Sequence, residues 1–378
     1  MSTPEFIKRT PPNVKPVQRH GQPIAQAAVR PVQRDRLSWH QFSAEPARYQ
    51  AMAFRNCGRS GLKLSAISLG SWETFGGYVG AELARGCIFN AFNLGITHFD
   101  LANTYGSPPG RAEITVGRTL REMPREELVV ATKAGLPFGP GPYGQGASRK
   151  ALLTSIEQSL KRLGLDYVDI FYSHRPDPNT PLEETLRALD QIVRQGKALY
   201  IGLSNYSAAE LSEAVRLVRD LNLSPITVQQ VGYNLLRRGA EQDVLPMARD
   251  LGVGVAAFSS LAQGLLTGKY TKGIPEGSRA ARTWASPKRE EIVNSVRERV
   301  RQLQELARER GQTLPQMAIA WTLRQPQVTT ALIGASDIDQ LEENAKALEK
   351  LTFTSDELKR IDAILLGAAA TAPPVAAE

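Results

Sequence analysis

The chain is poor in cysteine and histidine. Cys57 and Cys87 are the only thiols among 378 residues, and His20, His40, His98 and His174 the only imidazoles. Two thiols are too few for a disulfide framework and suit a reducing compartment, so a cytoplasmic location is expected. His98 and Asp100 share a strand face, the start of a metal-dependent hydrolase site, but only His174 is left to join them. That set is too thin, and no metal is expected. No apolar run reaches the ~18 residues of a transmembrane helix, and no apolar h-region marks a secretory signal near the start. Excess charge of one sign is scarce as well. Of the net +8, the first fifty residues hold +5, eight Lys/Arg against three Asp/Glu, which leaves +3 for the rest. A basic nucleic-acid-binding body is therefore not expected, nor a membrane partner, whereas an anionic cofactor or substrate suits the small surplus.

Hydrophobic residues make up 42% of the chain and charged residues 22%, enough to build a full core. Residues 1–46 are rich in Pro, Gln and Arg without sustained periodicity and read as a disordered extension, either idle or a targeting segment. Residues 47–366 read as one folded domain and 367–378, rich in Ala and Pro, as a flexible tail. The folded part opens with two short runs flanking Gly58-Arg-Ser-Gly61, a β-hairpin. Strand-like apolar runs then recur at 66–69, 96–100, 128–132, 167–171, 198–203, 226–231, 253–258 and 329–333. Between them lie segments with apolar residues three or four apart, such as 151–163, 182–194 and 208–221. Pro181 fits a first helical position with Thr180 as its cap. Eight strands alternating with helices predict an α/β fold, a (β/α)8 TIM barrel, with an N-terminal hairpin and extra C-terminal helices. A doubly wound sheet would show Gly-x-Gly-x-x-Gly after its first strand; here that strand runs into Gly70-Ser-Trp-Glu-Thr-Phe-Gly76. The glycine-rich stretch 139–146 lacks the Gly-Lys-Ser/Thr of a phosphate loop and reads as a loop over the barrel mouth. Segment 259–287 is long and mostly polar, as functional loops are, and a helix over about 288–310 follows it.

In such a barrel the chemistry lies at the carboxyl ends of the strands. The second run stops at Asp100, with Tyr105 five residues on. The third ends in Ala-Thr-Lys133, and the fourth in Tyr-Ser-His174-Arg175. Burying an unpaired carboxylate is costly, so Asp100 requires a cation, and Lys133 on the next strand supplies it. These residues suit proton donation to a developing alkoxide. A free tyrosine has a pKa near ~10, and a desolvated ammonium beside it favours the phenolate and lowers that value. His174 can hydrogen-bond the carbonyl oxygen and orient it. No side chain delivers a hydride, so a nicotinamide cofactor is implied.

The motif Asp100-Leu-Ala-Asn-Thr-Tyr105-Gly, with Ala-Thr-Lys133 and Tyr-Ser-His174, resembles the catalytic tetrad of the aldo-keto reductase family. Gly141-Pro-Tyr-Gly-Gln-Gly-Ala-Ser-Arg-Lys150, Ala262-Gln-Gly-Leu-Leu-Thr-Gly-Lys-Tyr270 and Leu332-Ile-Gly-Ala-Ser336 resemble one branch of it, the bacterial L-glyceraldehyde 3-phosphate reductases and potassium-channel β-subunits. The resemblance implies that Asp100, Tyr105, Lys133 and His174 are catalytic, with Tyr105 as proton donor. It implies that Ser204, Asn205 and Gln230 hold the nicotinamide carboxamide and that Phe258 stacks on the ring. Trp72 matches the aromatic after the first strand, with Asp100 beneath the cofactor. Ser259, Leu261, Gly264, Leu265, Lys269 and Arg279 match the loop around the phosphates; Gly334, Ser336, Gln340, Glu343 and Asn344 match the adenosine site. Trp72, Tyr105, His174 and Arg175 are the expected substrate contacts. Where the family usually has Pro the chain has Ser260, and where many members hold the 2′-phosphate with Lys and Arg it has Gly334 and Gln340. NADP(H) is favoured through Arg279, with NAD(H) left open. The implied activity is reduction of small aldehydes, with a small carbonyl substrate and homo-oligomeric assembly. The alternative is a cofactor-binding sensor with little turnover.

Overall fold

Residues 42–282 and 286–366 are described by the computed structural model. All but the last five positions of the expected extension, and the whole expected tail, lie outside these residues.

Two short strands, β1 (Phe54–Asn56) and β2 (Lys63–Ser65), pair antiparallel as the predicted hairpin. Eight further strands are parallel and close into a barrel: β3 (Ile67–Gly70), β4 (His98–Asp100), β5 (Val129–Ala134), β6 (Val168–Ser173), β7 (Ala198–Ser204), β8 (Ile226–Gly232), β9 (Gly254–Phe258) and β10 (Val328–Ile333). Each pairs with the next in sequence, and β10 returns to β3, giving the expected (β/α)8 architecture. The strands read as nearly continuous apolar runs because both of their faces are covered. Around them lie α1 (Ala81–Asn93), α2 (Arg111–Leu120), α3 (Arg149–Leu163), α4 (Leu182–Arg194), α5 (Ala208–Asp220) and α6 (Val244–Leu251). Two helices, α7 (Asn294–Glu309) and α8 (Leu314–Leu323), intervene before β10; α9 (Ile338–Ala345) and α10 (Ser355–Leu366) follow it. The outer helices bury one stripe, as α4 does with Leu186, Ala188, Leu189 and Ile192, whereas α8 is buried on nearly every side. Ser207 and Glu210 form a reciprocal capping box at the start of α5.

The alternation of side chains along each strand decides what enters the barrel. On β5, Thr132 turns outward, where its hydroxyl donates to Glu113 of α2 at 2.6 Å, and Arg162 of α3 donates to the same carboxylate at 2.6 Å. Its neighbours Ala131 and Lys133 therefore turn inward. The interior is filled from below by the hairpin, whose Cys57, Leu62 and Leu64 pack with Ala131, Ile170, Tyr172, Val228, Ala256 and Leu332. Tyr172 fits only because residue 202 opposite is glycine; a Cβ there would collide with its ring. His98 lies in the same interior, its Nδ1 2.8 Å from the hydroxyl of Ser68, which in turn meets Thr330 at 2.5 Å. Burial pushes its imidazole down to about 4, so it is a neutral member of a core hydrogen-bond chain.

Three local expectations are corrected. Pro181 is the residue before the first turn of α4 rather than inside it, and the Thr180 hydroxyl donates to Asp177 at 2.7 Å instead of capping the helix. The helix expected from about 288 starts at Asn294, because Ile292 is drawn into a small apolar cluster with Tyr270 and Ala280. That cluster gives the loop after β9 a core of its own, which its polar composition concealed. Within residues 42–46, Phe42 stacks on Phe89 of α1 with ring centroids 4.2 Å apart, and the Glu45 amide donates to Asn93 at 2.9 Å.

Candidate active site

β4 ends on Asp100 because both carboxylate oxygens find donors at the rim. Lys133 Nζ donates to Oδ2 at 2.6 Å, and Gln230 Nε2, from the end of β8, donates to Oδ1 at 2.9 Å. The ammonium also donates to the Leu101 carbonyl at 2.8 Å and lies 3.4 Å from the Tyr105 hydroxyl, so its three donors are all directed. Lys133 is 0% exposed. Its burial lowers its proton affinity, but Asp100 and the Tyr105 hydroxyl outweigh that, and the amine is held above its usual range as a cation. The ring of Tyr105 meets that of His174 edge to face, centroids 5.9 Å apart. The sequence-predicted catalytic residues Asp100, Tyr105, Lys133 and His174 thus come together at one point of the mouth.

One electrostatic expectation is corrected. Burial raises the Tyr105 phenol above its usual value, and Lys133 offsets this only in part because its charge is shared with Asp100. The phenol is therefore protonated at neutral pH, the form a proton donor needs. His174 is pushed well below its usual range by burial first and then by Lys133 and Arg175, which keeps its imidazole neutral. Its Nδ1 is buried without a hydrogen-bond partner among the described residues.

The remaining predicted residues fall into three groups. Ser204 closes β7, and Asn205 follows in a left-handed conformation (φ 60°) that turns its side chain back, Nδ2 donating to the His174 carbonyl and to Ser204 Oγ at 3.1 Å each. With Gln230 they border the tetrad. Phe258 ends β9, half-buried, and Ser259 after it is also left-handed. Leu261 and Leu265 pack against the core, while Gly264 (φ 97°) turns the loop past them. Lys269 lies over the Tyr270 ring and has no acidic partner among the described residues. Arg279 reaches back to the first strand's loop: its guanidinium lies 5.8 Å from the Trp72 ring and 3.6 Å from the Glu73 carboxylate. Gly334 follows β10. Beyond it, the Ser336 amide and hydroxyl donate to Gln340 Oε1 at 3.3 and 3.1 Å, at the start of α9. On that helix Glu343 is 3.9 Å from Lys346, and Asn344 is buried. Arg175 stands exposed beside His174 with no salt bridge among the described residues, and its charge helps hold the Asp177 carboxyl below its usual range.

Two contributors escape a reading of residue types. Glu73 also accepts from the Ser286 amide at 3.1 Å, so the β9 loop is fastened to the β3 loop across the mouth. Asp177 accepts from the Ala147 amide at 2.8 Å and from Thr180, tying the glycine-rich loop to the segment that carries His174. A carboxylate three residues past the tetrad His was the only signal for the second.

The residues present fit a nicotinamide dinucleotide. Ser204, Asn205 and Gln230 form a polar border beside the tetrad, Phe258 ends the next strand, and Lys269 brings charge that no carboxylate among the described residues neutralises. The neutral, buried His174 with a free ring nitrogen adjoins the Tyr105 phenol, which lies beside a fixed cation.

A closed barrel with this rim defines an oxidoreductase acting on carbonyl groups, and the chain belongs to the aldo/keto reductase family, whose model matches residues 66–366. Its relatives sharpen the picture. It is 51% identical over 330 residues to the L-glyceraldehyde 3-phosphate reductase of Escherichia coli (strain K12), covering 84% of this chain and 94% of the relative. It is 42% identical over 324 residues to a putative voltage-gated potassium channel subunit beta of Schizosaccharomyces pombe (strain 972 / ATCC 24843), covering 82% and 93%. Members of the family generally use NAD(P)H. No helix among the described residues is long and apolar enough to cross a membrane.

Proposed function

We propose that the protein is an NADPH-dependent reductase of small aldehydes, including phosphorylated ones, with Tyr105 as the proton donor. The observation that carries this reading is the Lys133 ammonium, fixed by Asp100 at 2.6 Å and 3.4 Å from the Tyr105 hydroxyl. When bound, the cofactor supplies a hydride to the carbonyl carbon. The protein does the rest. His174, neutral, hydrogen-bonds the carbonyl oxygen and sets it against Tyr105. The phenol gives its proton to that oxygen as negative charge builds there. The phenolate left behind is stabilised by Lys133, an attraction of about 5 kcal/mol at 3.4 Å for an effective dielectric constant near ~20. Burial of Asp100, Lys133 and His174 limits screening by water.

Arg175 favours an anionic substrate, since it is an exposed cation next to His174 with no salt bridge among the described residues, its charge offset only in part by Asp177. Lys269 and Arg279 favour NADPH by offering charge to its extra phosphate. Homo-oligomeric assembly and a cytoplasmic location remain part of the proposal. The experiment compares NADPH consumption with glyceraldehyde 3-phosphate, methylglyoxal and simple aldehydes for wild type and Arg175→Ala. The variant should raise KM for the phosphorylated substrate about threefold to fivefold, the scale of one exposed charge pair, and leave the others unchanged. Equal wild-type rates for all three would remove the phosphate preference. The channel-subunit relative favours a second reading, a cofactor-binding sensor; bound NADPH with no turnover on any aldehyde would establish it.

A further inference from the structure

After β8 the chain turns tightly. Asn234 Oδ1 accepts from the amides of Leu236 and Arg237 at 2.8 and 2.9 Å, and its Nδ2 donates to the Ser259 carbonyl at 2.9 Å. This turn carries two consecutive arginines with different fates. Arg238 is paired with Glu241 and Asp362. Arg237 has neither a carboxylate nor a hydrogen-bond partner for its guanidinium among the described residues. Instead it folds back over Gly232. A Cβ on Gly232 would lie 2.7 Å from Arg237 Nη1, 2.9 Å from its Cζ and 3.1 Å from Phe258 Cζ, so the missing side chain is what admits both groups. Gly232 is two residues beyond Gln230 and therefore faces the same way, into the mouth above Asp100. It pairs in register with Phe258, and the Arg237 Cζ lies 6.0 Å from that ring's centroid. The bond from Asn234 to Ser259 fastens the arginine turn to the residue directly after Phe258, which fixes the two groups relative to each other.

We propose that Arg237 discriminates between the two redox states of the cofactor: its unpaired charge, held 6.0 Å from the centroid of the Phe258 ring, weakens binding of the oxidised form relative to the reduced one. This rests on the reductase reading, in which Phe258 is the surface for the nicotinamide ring. In the balanced reaction the carbonyl takes a hydride on carbon and the Tyr105 proton on oxygen, and Tyr105 regains a proton from solvent. The cofactor is left oxidised, its ring bearing one positive charge that the reduced ring lacks. A cation held close to the Phe258 ring disfavours that charge, and the neutral reduced ring is indifferent to it. Substituting the arginine should therefore act on one redox state only, which a purely structural role would not do. The consequence for the enzyme is easier release of the oxidised cofactor and weaker inhibition by it.

The test is equilibrium fluorescence titration of the full-length protein with NADPH and, separately, with NADP+. Arg237→Gln should tighten NADP+ about threefold, the scale of one exposed charge, and leave NADPH unchanged. Arg237→Glu should extend the change, Arg237→Lys should restore the wild-type ratio, and added salt should shrink the difference. Parallel changes in both affinities, or an unchanged ratio, would overturn the inference while leaving the reductase reading intact. Binding of neither cofactor by the wild-type protein would overturn that reading along with the inference.

Discussion

Replacing Lys133 with methionine separates two roles that one ammonium plays. The side chain is fully buried, and its nitrogen lies 2.6 Å from Asp100 and 3.4 Å from the Tyr105 hydroxyl. Methionine matches its length, so the change removes charge more than volume. Asp100 then keeps only the neutral Gln230 among its side-chain donors. Breaking a buried pair from one side costs about 3–5 kcal/mol, read by urea unfolding at neutral pH. The charge on Asp100, not the lost packing, is the reason. The double variant Lys133→Met/Asp100→Asn, with both charges gone, should therefore be more stable than Lys133→Met alone by at least ~2 kcal/mol. Turnover should behave differently. The phenolate formed from Tyr105 loses an attraction of about 5 kcal/mol, so single-turnover reduction with saturating NADPH should slow at least ~1,000-fold in both variants. Stability recovering while turnover does not is the signature. Additive losses of stability, or turnover in Lys133→Met within tenfold of wild type, would refute the assignment of the ammonium to both roles.

Other outcomes follow from the barrel interior. His98, facing Asp100 and Lys133, has its imidazole moved from 6.5 to about 4 by burial, so below pH 6.5 the unfolded chain binds a proton that the native protein does not. Its contribution is thus complete above pH 6.5 and falls away toward pH 4, about 3 kcal/mol over that window. His98→Gln should flatten the pH dependence of unfolding there, and an unchanged slope would contradict it. His174 is likewise kept neutral, so kcat/KM should show no acid limb near pH 6.5; a limb there would mean that the imidazole titrates in its ordinary range and that burial does not hold it down. Gly202→Ala drives a methyl into the Tyr172 ring directly below the site, and should cost about 1–3 kcal/mol by calorimetry. A melting temperature equal to wild type would show that the ring has room to move.

The residues that lay open to sequence reasoning share one property: each is forced by a local rule. Asp100 and Lys133 are charged residues at the ends of apolar runs, a placement that only mutual pairing makes tolerable. The eight strands declare themselves because covering both faces of a parallel sheet demands uninterrupted apolar residues. What stayed hidden depends on contacts between distant segments. The bond of Ser286 to Glu73 spans 213 residues, and neither end looks unusual among its neighbours. Ile292 reads as part of a helical stripe until Tyr270 and Ala280 claim it. Phe42 reads as a stray aromatic in a proline-rich segment until Phe89 supplies its stacking partner. The direction of the Tyr105 shift was missed for a related reason. The sign of each influence follows from residue type, but the balance between burial and a shared cation depends on depth, which no spacing encodes.

The central claim is that Tyr105 completes a nicotinamide-dependent reduction. Rapid mixing of NADPH-loaded protein with an aldehyde tests it most directly, comparing wild type with Tyr105→Phe. The account predicts unchanged NADPH affinity and reduction slowed at least ~100-fold, the low end for loss of a general acid. Reduction by Tyr105→Phe at the wild-type rate would contradict it.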